Sequence, residues 1–324
     1  MGLASPYLDF VARGLEARLL GRRRPFLAGF KVTHRCNLRC RACPFWRRPA
    51  DDIPYEAALR AMDALHRAGA RLLILEGGEP FLWRDGRRTL EDLVRAAKAR
   101  FYRVGIATNG TLPLESEADT LWVSLDGLEE SHDYNRGPVF RRIMENLERS
   151  SHQRLFAQLT INRRNRDEIP DLVRFLAGKV RGITFQFHYP YPESEDLYLP
   201  LEERGPVLDG LIRLKREGFP ILDSYATLEA LKDNSWRCHD WLIANVEPTG
   251  QINWGCYLKG RGPADCRKCG FAAHVELSLA YDWHPGAIAA GIRTFGLRPF
   301  QWVTDRTDGT NGAEENDGIH RPGD

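Results

Sequence analysis

The chain reads as an α/β protein, and three observations predict this. Short apolar runs with strand character recur six times. Amphipathic helical patterns lie between them. Glycine, proline and aspartate mark the boundaries. Strands that alternate with helices pair in parallel through right-handed crossovers. Periodicity alone leaves two architectures open, a (β/α) barrel and a doubly wound sheet.

The elements follow in order. Over residues 5–20, Leu8, Val11, Ala12, Leu15, Leu19 and Leu20 recur at helical spacing, opposite Arg13, Glu16 and Arg18. Gly21 to Pro25 ends this helix. It has two readings: a helix packed on the barrel, and a peripheral helix lying on a membrane surface. Phe26 to Thr33 is the first strand. A helix then opens at Pro54, with Asp51 or Asp52 as cap, and Gly69 lies past its end. Arg71 to Leu75 is the second strand, and Thr89 to Arg100 a helix with Leu90, Leu93, Val94 and Ala97 on one face. Tyr102–Ala107 and Leu121–Leu125 are strands three and four. Phe140 to Glu148 is helical. Phe156–Ile161 is the fifth strand, followed by a helix through Leu172, Val173, Phe175 and Leu176. Ile183–Phe187 is the sixth, and a helix around Val207, Leu211, Ile212 and Leu214 closes this part. After about Asn234 the character changes. Trp241–Val246, a Pro248-Thr249-Gly250 turn and Gln251–Trp254 predict a β-hairpin flanked by cysteines. From Thr304 the chain is rich in Gly, Asp, Asn and Glu, which predicts disorder.

Composition limits the function classes. Of 324 residues, 43% are hydrophobic and 28% charged, which suits a soluble globular chain. No run of about 18 apolar residues would cross a membrane. There is no apolar secretory core, and Pro6 stands where a myristoylation motif needs Ser or Thr. A cytoplasmic location is expected, with membrane association only through the first helix. The net charge of +2 is unevenly spread. Six acids face Arg306 and Arg321 in the tail, whereas Arg35, Arg39, Arg41, Arg47 and Arg48 have no acid until Asp51. That basic loop is either a solvated surface or one that meets an anionic substrate or an acidic electron donor. No nucleic-acid-binding motif is present.

Seven cysteines fall into a group of three near residue 40 and a group of four between 238 and 269. An odd count in a chain of this size argues against a disulfide framework and for two metal centres. Cys36, Cys40 and Cys43 are spaced C-x3-C-x2-C. Thiolates suit iron–sulfur clusters or zinc. Three ligands leave one iron of a four-iron cluster open. A closed zinc site needs a fourth ligand, and only His34 is near. The second strand ends in Glu76-Gly77-Gly78-Glu79-Pro80, whose glycines either form a tight turn or bring backbone close to a ligand.

Together the cysteine loop and this Gly-Gly-Glu-Pro segment resemble the radical SAM superfamily, over roughly residues 26–190. The resemblance implies a partial six-stranded (β/α) barrel. It implies a [4Fe–4S] cluster on Cys36, Cys40 and Cys43 that binds S-adenosylmethionine at its open iron, splits it reductively and yields a 5′-deoxyadenosyl radical. It implies that Gly77, Gly78, Glu79 and Pro80 hold the methionine amino group. The residue before the third cysteine, commonly aromatic and near the adenine, is Ala42 here, with Phe45 and Trp46 as substitutes. In parallel barrels functional residues sit at the carboxyl ends of strands. That rule adds Asn109, Ser124, Asp126, Arg136, Asn162 and His188 as cofactor contacts; Arg136 reads equally as a surface ion-pair member and His188 as a structural histidine.

Cys238, Cys256, Cys266 and Cys269 surround the hairpin and resemble the half-size SPASM module called twitch, which implies a second, auxiliary [4Fe–4S] cluster. A structural zinc hairpin uses the same thiolates. The expected layout is an N-terminal helix over 1–25, a core barrel over 26–233, a twitch-like region over 234–303 and an acidic tail over 304–324. The expected activity is hydrogen abstraction from an unactivated carbon of a lipid or prenyl substrate. A peptide-modifying maturase is the alternative, and a non-catalytic metal scaffold the reading from another class. A flavodoxin- or ferredoxin-type protein is the expected electron donor.

Overall fold

The computed structural model describes residues 6–262 and 264–297. The expected tail over 304–324 lies outside the described residues.

All six expected strands form: β1 Leu27–Thr33, β2 Leu72–Gly77, β3 Arg103–Thr108, β4 Thr120–Ser124, β5 Leu155–Ile161 and β6 Gly182–Phe187. The hairpin forms too, as β7 Ile243–Val246 and β8 Ile252–Trp254, turning at Gly250 with φ +83°. It does not stand apart. β7 pairs in parallel with β1, giving one eight-stranded sheet in the order β8-β7-β1-β2-β3-β4-β5-β6. Every pair is parallel except β7–β8. The sheet curves but does not close into a barrel.

Ten helices are described: α1 Pro6–Leu19, α2 Tyr55–Ala68, α3 Leu90–Lys98, α4 Glu129–Arg136, α5 Phe140–Arg149, α6 Ile169–Leu176, α7 Gly205–Arg216, α8 Tyr225–Ala230, α9 Ala272–Tyr281 and α10 Pro285–Phe295. The core lies between the sheet and its helical layer. Met62, Leu65, Leu93, Val94, Ile143, Leu172, Val173 and Leu211 meet Phe30, Leu73, Leu75, Val104, Val123 and Leu159 there, all essentially inaccessible. Strand residues pointing the other way line a lumen, because side chains alternate across a strand.

Three local expectations change. Neither Asp51 nor Asp52 caps α2. Asp85, from a two-residue hairpin strand, accepts the Tyr55 N–H at 2.8 Å, while Asp52 is drawn to Arg35 and Thr33. Phe175, counted among the apolar residues of the α6 pattern, is 39% exposed. And α1 packs by its small-residue side, Gly14 and Ala17, leaving Leu8, Leu15 and Leu19 outside. The reason is a steric one. The Trp283 ring lies only 3.1 Å from where a Cβ on Gly14 would stand, so a larger residue on that face would have to push the ring aside.

α9 and α10 were not foreseen. α9 touches both β6 and the turn that enters β7, so it spans the opening between the sheet's two ends. α10 ends in a left-handed Gly296 (φ +60°). The carbonyls of its last turn are taken by Arg103 and Arg154, to Phe295 and Gly296 and to Arg293 and Thr294. Guanidinium groups suit a helix C-terminus, where unpaired carbonyls and the negative dipole end meet.

Candidate active site

Parallel strands end together, so the loops leaving β1 to β6 share one rim. The loop after β1 carries Cys36, Cys40 and Cys43 and is pinned by its neighbours. Asn109, at the end of β3, donates from Nδ2 to Asn37 Oδ1 (2.8 Å) and towards Cys36 Sγ (3.8 Å). Asn135 on α4 accepts the Arg41 N–H through its carbonyl (2.8 Å) and the Ala42 N–H through Oδ1 (3.0 Å). Trp46 Nε1 donates to the Cys40 carbonyl at 3.0 Å. The thiols lie within electrostatic reach of one another. Burial, reinforced by the neighbouring thiols, pushes Cys40 up to about 12 and raises Cys36 as well; Arg136 opposes this at Cys40.

The glycines after β2 have a packing reason. A Cβ on Gly77 would stand 2.4 Å from the Thr33 carbonyl, and one on Gly78 2.3 Å from that of Arg35. Only glycine lets the end of β2 run this close to the start of the cysteine loop. Gly78 N–H then donates to Thr33 and Glu79 N–H to Arg35, at 2.7 and 2.8 Å. Glu79 turns inward. It is fully buried and accepts from Thr108 Oγ1 (2.8 Å), the Asn109 N–H (2.7 Å) and the Phe81 N–H (3.2 Å). Burial outweighs these donors and pushes its pKa up to about 7.

A cavity of about 540 Å³ fills the lumen. The three cysteines, Gly77, Gly78, Asn109, Ser124, Asp126, Arg136 and His188 all line it, as do Ala42, Phe45 and Trp46. Glu79, Pro80 and Asn162 are not among its lining residues. Pro80 opens a 3-10 turn. Asn162 is taken up by its own turn, its Oδ1 accepting the Arg164 and Asn165 N–H groups. Arg136 and Asp126 form a buried pair, Nε to Oδ2 at 2.6 Å and Nη2 to Oδ1 at 3.2 Å, with Asn135 Nδ2 also on Oδ2 at 2.6 Å. Burial alone would raise Asp126, but Arg136 outweighs it and holds the carboxyl below its usual range. Arg136 is thus a member of a buried pair, not of a surface one. His188 Nε2 lies 2.9 Å from the Ser194 carbonyl and 3.1 Å from its hydroxyl. Burial lowers its pKa, so the neutral ring is favoured.

Several lumen residues escaped the sequence reading. Lys31, in the middle of β1, donates to Glu76 Oε1 (3.0 Å) and Tyr257 Oη (2.8 Å) and lies 4.3 Å from the Phe45 ring centre. Burial lowers its pKa against the pull of Glu76. Gln158, Thr160, Thr184 and Gln186 add polar groups from β5 and β6. Asp223 and Glu276 form a carboxyl pair on the wall, and burial, aided by Glu276, pushes Asp223 up to about 8. A signal was present: polar residues alternate inside strands that both-face burial would make continuously apolar. Towards the amino ends the lining turns apolar, through Phe10, Phe26, Leu72, Trp122 and Phe295.

His34 is committed elsewhere. Its Nδ1 lies 3.2 Å from the Pro49 carbonyl and its Nε2 3.5 Å from Glu247 Oε2. The later cysteines form a second group. Cys238 and Cys266 are exposed, Cys256 and Cys269 half-buried. Their thiols act on one another, and burial with these neighbours pushes Cys238 up to about 12. Buried Arg204 donates to the Cys269 carbonyl at 2.7 Å and Asn234 Nδ2 to the same atom at 3.0 Å. Among the described residues no three His, Cys, Asp or Glu side chains are gathered tightly enough to hold a single metal ion.

Residues 30–176 match the family described as the radical SAM superfamily. These residues form a radical SAM domain. Enzymes of this superfamily use a [4Fe–4S] cluster and S-adenosylmethionine. The chain is similar to an Fe-coproporphyrin III synthase of Methanosarcina barkeri, 29% identical over 268 residues, which cover 70% of this chain and 65% of that one. It is also similar to a pre-heme d1 synthase of Dinoroseobacter shibae, 30% identical over 189 residues, 52% of this chain and 45% of that one. The matched part therefore spans less than two thirds of either relative. Among solved structures it shares its fold with Streptococcus suis SuiB, seen with S-adenosylmethionine and with the precursor peptide SuiA. The first gives a TM-score of 0.62 at 16% identity, over 91% of this chain and 75% of that one.

Proposed function

We propose that Cys36, Cys40 and Cys43 hold the [4Fe–4S] cluster, and that the lumen takes a largely apolar organic substrate, such as a lipid or prenyl chain. When bound, the cluster and S-adenosylmethionine supply the 5′-deoxyadenosyl radical that removes hydrogen from the substrate carbon. The donor set fits. Three thiols share one pinned loop, and the histidine nearest in sequence is tied to Glu247 and Pro49 and so does not join them. Burial favours the protonated thiols of Cys36 and Cys40, so loading releases protons there. Gly77, Gly78, Asn109 and Ser124 are the cofactor contacts on the rim that this reading retains, with the Asp126–Arg136 pair orienting α4 beneath them.

The observation that carries the substrate reading is the shape of the lumen. It leads from the cysteine rim to an apolar chamber walled by Phe10, Phe26, Leu72, Trp122 and Phe295, and apolar walls favour apolar ligands with few polar anchors. Asp223, Glu276 and Lys31 would fix a polar end. A tetrapyrrole, an apolar ring with carboxylate arms, is another organic substrate that the names of two relatives suggest. A second reading, a peptide substrate, is supported by the SuiB structure with its precursor peptide. The later four cysteines are proposed to hold an auxiliary [4Fe–4S] cluster, and a flavodoxin or ferredoxin to supply electrons.

The test is anaerobic incubation of reconstituted protein with S-adenosylmethionine, a reductant and, separately, membrane lipid extract, a coproporphyrin and a peptide library. Mass spectrometry should find 5′-deoxyadenosine in amounts that rise with the lipid or tetrapyrrole, together with a product of altered mass. A product in the peptide arm alone would replace the apolar reading with the second one.

A further inference from the structure

Between Pro6 and Arg24 the outward residues are Leu8, Val11, Ala12, Leu15, Arg18, Leu19, Leu20 and Gly21 to Arg24. Leu8, Leu15, Leu19 and Leu20 are 59, 46, 77 and 62% exposed, values unusual for four leucines in one short segment. They are not scattered. Leu8, Val11, Leu15 and Leu19 are three or four residues apart and form one ridge about 16 Å long on α1. None of the outward residues is acidic. Asp9 is turned to Arg13 and Arg71, at 2.9 and 3.1 Å, and Glu16 to Arg24, at 3.9 Å. Arg22 and Arg23 extend the ridge as exposed positive charge. Beyond them Arg23 shares a shallow recess with Lys259 and with Trp254, itself 45% exposed; Asp240 is the acid there.

We propose that this face docks on an anionic lipid bilayer, leucines entering the acyl boundary and Arg22 and Arg23 pairing with headgroup phosphates. A leucine row ending in arginines and a tryptophan is what an interfacial helix needs. A second copy would bring the same arginines without the acids to pair them. The face is also continuous with the lumen, because Tyr7, Phe10 and Val11 of α1 line its apolar end beside Trp283, Ile292 and Phe295. An apolar substrate would pass from bilayer to chamber without crossing water. That route rests on the apolar-substrate reading. The docking itself does not, and its test needs neither cofactor nor turnover.

The full chain, purified anaerobically, is floated with vesicles of phosphatidylcholine alone and of phosphatidylcholine with phosphatidylglycerol. Binding is expected only to the second, and added salt should weaken it. L15E with L19E should lower partition by more than about tenfold. R22Q with R23Q should lower it by about fivefold for each charge removed. Thermal melts of both variants should match the parent, since the changed residues are exposed. Absence of vesicle binding overturns the proposal. So does binding that the leucine variant leaves unchanged, or a dimer in sedimentation that the leucine variant splits. A substrate assay that succeeds only with peptides would remove the route and leave the docking standing.

Discussion

The two cysteine groups are built in opposite ways. The first occupies one loop, and each of its turns is held by a side chain from farther along the sheet: Asn109 after β3, Asn135 on α4, Trp46 on the next turn. The second gathers residues from 238 to 269 at the sheet's edge, two of them exposed, and its anchors grip backbone carbonyls from Arg204 and Asn234. Both contain a thiol pushed up to about 12. At Cys40 Arg136 is the first influence opposing burial, whereas at Cys238 three other thiols add to it. The first group is therefore held in place by side chains of neighbouring elements, and the second is more open to solvent. This difference predicts unequal responses to the same perturbation.

The largest effect belongs to the first group. Replacing Cys36, Cys40 and Cys43 with Ala should abolish reductive cleavage of S-adenosylmethionine, measured as 5′-deoxyadenosine by chromatography. Undiminished cleavage would mean that another centre does this chemistry. The fold should survive, because the asparagines and Trp46 hold the loop mainly through backbone atoms and through Asn37.

The second effect is partial. If the later cysteines carry a cluster of their own, reconstituted protein should hold about eight irons and the C266A/C269A variant about half of that. Cofactor cleavage should persist at a reduced rate, while turnover of the true substrate is lost. Zinc in place of the extra iron, with full turnover in the variant, would make this a structural hairpin.

How much of this was visible in the sequence follows from range. The six parallel strands β1 to β6 are local apolar runs, and each was legible. The cysteine rim was legible because its spacing lies within eight residues. The joining of β7 to β1 was not, since it pairs Leu27 with Ile243 across more than two hundred residues. The face used by α1 was misjudged from periodicity, which counts leucines but cannot see Trp283 pressed against Gly14. The enclosure of Glu79 was not legible either, because its donors, Thr108 and the Asn109 N–H, come from a strand the motif does not contain.

Glu79 gives the third prediction and separates the two regions by pH. Its folded pKa, about 7, lies above the usual 4.5 because burial penalises the charged form. Folding therefore favours the proton. The contribution is complete below pH 4.5, falls as pH rises, and is lost by about pH 7. The change is of order 3 kcal/mol. E79Q should be less stable at low pH, since its amide sets a donor against one of the enclosing N–H groups. Its stability should nevertheless fall less between pH 4.5 and 7 than that of the parent. Asp223, raised to about 8, leaves a residual slope of the same sign. Denaturant melts across this range would show it, and parallel slopes for parent and variant would count against the assignment.

The smallest effect concerns the surface over the first group. Arg39, Arg41 and Arg47 are exposed around the cysteine loop, and their guanidinium groups lie against Trp46, Tyr134 and Trp46 respectively. Stacking on rings leaves the charge available to a partner. Arg35, by contrast, is paired with Asp52, and Arg48 faces Glu247 at 3.9 Å. The basic surface is thus narrower than the run of five arginines implies. If an acidic flavodoxin or ferredoxin docks there, its attraction acts through water and is screened over about 10 Å at 0.1 M salt. Reduction by the protein donor should slow by a few-fold, on the order of that seen for steered encounters, as salt rises to this level. Reduction by a small chemical reductant should not. R39Q with R47Q should remove most of the salt dependence, while R35Q, whose charge is already paired, should change it little. Stopped-flow traces under both donors provide the measurement, and equal salt dependence for the two would place the electron entry elsewhere, with the exposed second group the next surface to examine.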